Sequence, residues 1–194
     1  MTIPDIINNS ISVHQLILAD EVFMQKIQEA VDVCVESLRS GGKILLCGNG
    51  GSASDAQHIA AELSGRFYYD RPPLYAEALH VNGSYLTAVA NDYHFEMVYR
   101  RMVEAAGKVG DVLIGLSTSG NSQNVVYAME AAKKIGMKTI AFTGETGGNL
   151  LYISDVLLNV PSSDTPRIQE AHILIGHIIC EFIEKTIFPK DEGI

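Results

Sequence analysis

Residues 43–59, KILLCGNGGSASDAQHI, run from a short apolar segment through a glycine-rich turn into a stretch of helical spacing. Residues 111–129, DVLIGLSTSGNSQNVVYAM, repeat that plan with a turn made of Ser, Thr, Gly and Asn. Apolar strands that pass through such loops into helices predict a parallel sheet covered on both faces. The flanking sequence extends the alternation. PLYAEALHV (73–81), MKTIAFTG (137–144) and DVLLNV (155–160) read as further strands, with helices around 84–90, 95–106 and 124–136. Residues 4–39 read as two helices. The second runs from about Glu21 to Leu38, with Val22, Ile27, Val31, Cys34, Val35 and Leu38 as its apolar stripe. A long helix from about Pro166 to Ile187 closes the chain. The expected fold is a single α/β domain with a doubly wound parallel sheet and extra N- and C-terminal helices. Its parts are N-terminal helices in 1–40, an α/β core in 41–165 and a C-terminal helix in 166–188.

Bulk properties narrow the function classes. A chain of 194 residues suits one domain with a substantial core. With 47% hydrophobic and 19% charged residues it has the composition of a folded protein, not of a disordered one. No apolar run reaches the length of a membrane span, and MTIPDIINNSISVHQL lacks the basic and apolar regions of a secretory signal. Cys34, Cys47 and Cys180 are widely spaced, which argues against a disulfide framework or a thiolate zinc site. The expected compartment is the cytoplasm. The net charge is −9, and the longest basic clusters are Arg100-Arg101 and Lys133-Lys134, so no nucleic-acid partner is expected. An anionic ligand would have to be held locally, by backbone N–H groups, hydroxyls and helix N-termini.

Both special loops are suited to that task. In open α/β sheets, ligands bind beyond the carboxyl ends of the strands. Gly48, Gly50 and Gly51 allow close backbone approach in the first loop, with Ser52 as the expected N-cap. Ser117, Thr118, Ser119 and Ser122 surround Gly120 in the second, and each hydroxyl can donate to a phosphate oxygen. Either loop alone is also an ordinary capping turn; the pair on one sheet edge points to phosphate. Gly48-x-Gly50-x-x-Ala53 formally fits a dinucleotide fingerprint, which also needs an acidic residue about twenty positions on, at the end of the second strand. Asp70 has the distance, but Arg71-Pro72-Pro73 follows it and places it before the strand. There is no GxxxxGK[ST] run either, so no nucleotide cofactor is expected.

On the helix after the first loop, His58 and Glu62 stand at i and i+4, with Asp55 one turn earlier on the same face. Such a pair serves as a metal edge, as an acid/base site, or as a plain solvated helix contact. RIQEAHILIGHIICEF (167–182) carries Gln169, His172 and His177 on a helix that is otherwise strongly apolar. Gln169 and His177 are separated by roughly 12 Å of rise and about 80° of rotation, so spacing alone does not make them co-ligands. They could share a metal by reaching toward it from above and below, or by belonging to different chains.

GNGGSASDAQHIAAELSGRF (48–67), the ND of VANDY, GDVLIGLSTSGNS and RIQEAHILIGHIIC together resemble the sugar isomerase (SIS) fold family, and within it the phosphoheptose isomerases, over nearly the whole chain. The resemblance implies an aldose–ketose isomerase that converts sedoheptulose 7-phosphate to D-glycero-D-manno-heptose 7-phosphate, on the route to ADP-heptose and lipopolysaccharide core, as a cytoplasmic homotetramer. By position it implies that Asn49, Gly50, Gly51, Ser52, Asn91, Asp92 and Gln169 approach the substrate. It likewise gives Ser117, Thr118, Ser119 and Ser122 to the phosphate. It makes Glu62 and His177 the acid/base pair, and His58, Glu62, Gln169 and His177 the ligands of one zinc per subunit. Arg66 lies at a position associated with the site, and equally suits a surface or interface salt bridge.

An alternative of another class is a non-catalytic SIS module that binds phosphosugars or associates with a replication initiator, to which the FPKDEGI tail (188–194) is similar. That type lacks residues matching Glu62 and His177, and this chain has both. Asp55 is read as structural in the first helical turn, and Asn91-Asp92 also suits a turn or cap. His14, His80 and His94 have no partner legible in the sequence.

Overall fold

The computed structural model describes residues 2–190. Residues 191–194, the acidic end of the FPKDEGI tail, lie outside them. The chain enters through α1 (Ile3–Ala19) and α2 (Glu21–Arg39), then runs β1 (Ile44–Gly48), α3 (Gly51–Ser64) and β2 (Ala76–Ala78). It continues through α4 (Gly83–Asp92), α5 (Val98–Ala106), β3 (Val112–Leu116), α6 (Gln123–Ile135), β4 (Lys138–Thr143), β5 (Val156–Asn159) and α7 (Thr165–Ile187). All strand pairings are parallel, in the order β2-β1-β3-β4-β5.

Two apolar layers follow from the unbroken apolar runs of the central strands. Ile44, Leu46, Val112, Ile114, Ile140 and Phe142 face α1, α2, α3 and α7. Leu45, Cys47, Leu113 and Ala141 face α4, α5 and α6. Alternate side chains of one strand thus enter different layers, as the two-residue period of a strand requires. From β1 the chain crosses to β2 on one side and reaches β3 on the other. Strand order therefore reverses between β1 and β3, where Gly48 pairs with Leu116, and both special loops leave the sheet there.

Three sequence expectations are corrected. Val22 is 61% exposed and Phe23, at 3%, takes its place in the core, because Asp20 caps α2 and sets its phase so that Phe23, Ile27, Ala30, Val31, Cys34 and Val35 face inward. The strand expected over 73–81 shrinks to Ala76–Ala78. Pro72 and Pro73 have no N–H to donate, and β2 is an edge strand with β1 as its one partner. The helix expected over 84–90 extends to Asp92, which makes Asn91 and Asp92 its last two residues rather than a separate turn.

Candidate active site

The two loops at the switch point are stitched together. Asn49 donates its amide N–H to Asn124 Oδ1 at 2.9 Å, and Asn124 donates in return to Asn49 Oδ1 at 2.8 Å. Asn124 is buried at the start of α6 and fixes the glycine loop against the serine loop. Tyr99 Oη donates to the Gly48 carbonyl from the opposite layer. Within the serine loop, Ser117 Oγ lies 2.9 Å from Ser122 Oγ, and the Gly120 N–H donates to the Ser117 carbonyl. The N–H groups of Thr118 and Ser119 have no hydrogen-bond acceptor among the described residues. Unpaired N–H groups close to a helix N-terminus such as that of α6 are suited to an anion. A cavity of about 280 Å³ opens between the serine loop, the turn after β4 and the start of α7, lined by Thr118, Ser119, Asn121, Glu145, Ser162 and Thr165. A larger hollow of about 740 Å³ lies between the α1–α2 corner and the end of β5, away from both loops.

The cap of α3 differs from expectation. Gly50, at φ 57°, is the N-cap, and Ser52 is a buried residue inside the first turn. Asp55 consequently falls in the second turn. One of its carboxylate oxygens is buried without a hydrogen-bond partner among the described residues, and burial raises its pKa against the opposing pull of His58.

The tertiary structure assembles the second half of the site. α3 and α7 run side by side in the same direction. Near the start of the seam, a Cβ built on Gly51 would lie 2.8 Å from Gln169 Nε2. Further along, Gly176 lets Ile59 approach closely, and His58 meets His177. His58 Nε2 lies 3.1 Å from Glu62 Oε1 and 3.2 Å from His177 Nε2. One donor atom from each of the three residues lies within 4.8 Å of the others. The pair is half-exposed at His58, and an open hollow of about 450 Å³ along α3, lined by Ser54, Gln57, His58, Ala61 and Glu62, leads to it. Phe67 closes one side, its ring centroid 5.7 Å from that of His177.

This donor set suits a small divalent cation. A ring nitrogen offers one hydrogen or one lone pair in its plane, yet His58 Nε2 is within bonding distance of both a carboxylate oxygen and a second imidazole nitrogen. A cation between the three atoms would satisfy all of them. Two nitrogens on a tetrahedral zinc are held about 3.3 Å apart, close to the spacing found.

Not every candidate joins these groups. Gln169 sits at the loop end of the seam, about two helical turns from His177. The Asn91 side-chain amide donates to its neighbour Asp92, and among the described residues Arg66 is exposed without an ion pair. Sequence reading missed Asn124, Arg71 and Glu184. Asn124 had one signal, its place just inside the helix that follows the serine loop. Arg71 and Glu184, which form a buried ion pair, had none, since they are far apart in sequence. His172 is wholly buried, with Nε2 3.1 Å from the Thr143 carbonyl, and belongs to the core beneath the β4 loop.

Residues 13–144 match the family model described as the SIS domain. The chain is 52% identical over 184 residues to the phosphoheptose isomerase of Clostridium acetobutylicum, covering 95% of this chain and 94% of that one. The chain belongs to the phosphoheptose isomerase family of SIS domains. Among solved structures, the phosphoheptose isomerase of Neisseria gonorrhoeae superposes with a TM-score of 0.88 at 44% identity, covering 94% of this chain and 97% of that one. That of Francisella tularensis gives 0.88 at 39% identity, covering 95% and 100%.

Proposed function

We propose that this chain is an aldose–ketose isomerase that interconverts sedoheptulose 7-phosphate and D-glycero-D-manno-heptose 7-phosphate, in the biosynthesis of heptose for ADP-heptose and lipopolysaccharide core. The observation that carries the mechanism is the meeting of His58, Glu62 and His177 within 4.8 Å, on the seam that begins at the two ligand loops. An open-chain heptulose 7-phosphate carries its phosphate at one end and its reacting carbonyl at the other. The chain likewise sets its acid/base cluster apart from the glycine loop, which the Asn49–Asn124 amide pair ties to the serine loop, with about 10 Å of helix rise between Gly51 and His58.

In this reading Ser117, Thr118, Ser119 and Ser122 hold the phosphate with hydroxyls and N–H groups, which suits a protein whose net charge of −9 opposes an anion. Asn49, Gly50, Gly51, Ser52 and Gln169 line the path of the sugar, with Asn91, Asp92 and Arg66 as outlying contacts. Glu62 removes the proton from the carbon next to the carbonyl and returns it to the former carbonyl carbon, while His177 donates a proton to the carbonyl oxygen and takes one back from the neighbouring hydroxyl, which becomes the new carbonyl. Positioned proton transfer of this kind contributes typically 10²–10⁴-fold. His58, Glu62 and His177 would hold zinc, which when bound supplies Lewis-acid polarisation of the substrate oxygens and leaves proton transfer to those atoms of Glu62 and His177 that it does not occupy. Gln169 would complete that set only from a second copy of the chain. The proposed assembly is a homotetramer in the cytoplasm, and its support is the apolar surface of α1 and α2, where Ile3, Ile7, Ile11, Leu18 and Val22 are exposed. No helix among the described residues is long and apolar enough to cross a membrane.

The test is to incubate the protein with sedoheptulose 7-phosphate in deuterated water and follow the sugar by NMR, beside Glu62→Gln. Formation of the aldose with deuterium at the reacting carbon, slowed about 10²–10⁴-fold in the variant, is the expected result. No product and no exchange, with or without added zinc, would overturn the enzymatic reading.

A further inference from the structure

We propose that the buried Arg71–Glu184 ion pair is the positioning device of the isomerase site, holding the carboxylate of Glu62 and the ring of His177 in their mutual geometry. The inference rests on the reading of Glu62 and His177 as the proton-transferring pair.

Both side chains are 1% exposed, with Arg71 Nε 2.9 Å from Glu184 Oε2. The rest of the guanidinium is turned on the last turn of α3. Nη2 donates to the carbonyl of Glu62 itself at 3.0 Å, and Nη1 donates to Leu63 at 2.9 Å and Gly65 at 3.3 Å. These lie at the helix end whose last carbonyls have no partner within the helix, and a cation also complements the negative end of its dipole. Arg71 therefore caps α3 at the residue that carries the proposed base.

Glu184 reaches the other half of the pair. It accepts the N–H groups of Phe67 at 2.9 Å and Tyr68 at 2.8 Å, and the Phe67 ring packs on that of His177. Glu184 also stands two helical turns beyond His177 on α7. Burial opposes its ionisation, but the two N–H groups and the guanidinium outweigh burial and hold its carboxyl below the ordinary range. One ion pair thus joins the turn that bears Glu62, the loop that flanks His177, and the helix that bears His177.

Stability alone is a poor reason for this arrangement, because well-packed apolar residues commonly replace a buried ion pair without loss. An apolar pair could not make the directional bonds to the Glu62 carbonyl or to the Phe67 amide.

Arg71→Lys keeps the buried charge but has one nitrogen, which cannot serve Glu184 and the α3 carbonyls together. Misplacement of about 1 Å can slow an oriented reaction about 100-fold. We expect kcat for sedoheptulose 7-phosphate to fall roughly 10- to 100-fold with KM changed less than about twofold. In a Glu62→Gln background the same substitution should change the residual rate less than about twofold. In metal-free protein, the ring resonances of His177, assigned with His177→Asn, should shift in Arg71→Lys. Glu184→Gln, nearly isosteric, carries the same measurements should Arg71→Lys not fold by far-UV circular dichroism. An unchanged kcat in a folded variant, or equal losses in both backgrounds, overturns the proposal. The reading of Glu62 as base fails separately, by full activity of Glu62→Gln alone.

Discussion

His58 and His177 are separated by more than half the chain, yet their Nε2 atoms lie 3.2 Å apart across the α3–α7 seam. Two imidazoles so placed, with Glu62 3.1 Å from the first, form a preassembled donor set. Zinc at about 100 times its Kd should stabilise the fold by about 2.7 kcal/mol. For a chain of this size that raises Tm by about 5–10 °C. His177→Ala should remove most of the shift in a thermal melt with and without chelator. An equal shift in that variant would place the metal elsewhere.

Gly120 has φ +67°, and a Cβ there would overlap the Gly147 carbonyl oxygen. Gly120→Ala should therefore destabilise the fold by about 2 kcal/mol or more in urea titration. It should also weaken the binding of inorganic phosphate measured by calorimetry. Unaltered phosphate affinity would remove the serine loop from the anion site.

The reciprocal amide pair makes a related claim for Asn124. Asn124→Ala leaves the Asn49 amide without its partner, which should cost about 1–3 kcal/mol. Because Asn49 opens the glycine loop, KM should rise more than kcat falls. Steady-state kinetics check this directly, and a variant that lost kcat with KM unchanged would contradict it.

Burial depresses the pKa of His172 to about 4, against the smaller opposing effect of its hydrogen bond to the Thr143 carbonyl. In the unfolded chain the ring titrates near 6.5. Folding therefore excludes a proton that the unfolded state binds between these values, so the buried ring is without effect on stability above about pH 6.5 and costs stability below it. That cost grows steadily as the pH drops toward about 4. Each pKa unit corresponds to about 1.4 kcal/mol, so the change amounts to a few kcal/mol. The slope of unfolding free energy against pH should flatten over this window in His172→Gln.

The fold was largely legible because its signals are local. Apolar runs such as KILLC and DVLIGLS, each followed by a small-residue turn, report a strand and its helix without reference to the rest of the chain. Where a neighbour decides, local reading slipped. The strand at 73–81 kept only the residues that β1 pairs, and Phe23 displaced Val22 because the cap at Asp20 sets the phase of α2.

The candidate site divides along the same line. The glycine and serine loops, and the His58–Glu62 pair on one helix face, are determined by sequence, since spacing within a strand–turn–helix unit fixes which groups sit together. Tertiary structure alone brought His177 to that pair and left Gln169 two turns away at the loop. It also linked Asn49 to Asn124 and buried Arg71 against Glu184. These contacts join residues 75 to 119 positions apart. No local periodicity encodes them, because they depend on how α3, α6 and α7 pack around the sheet, and that packing is set by the shape of the whole apolar core.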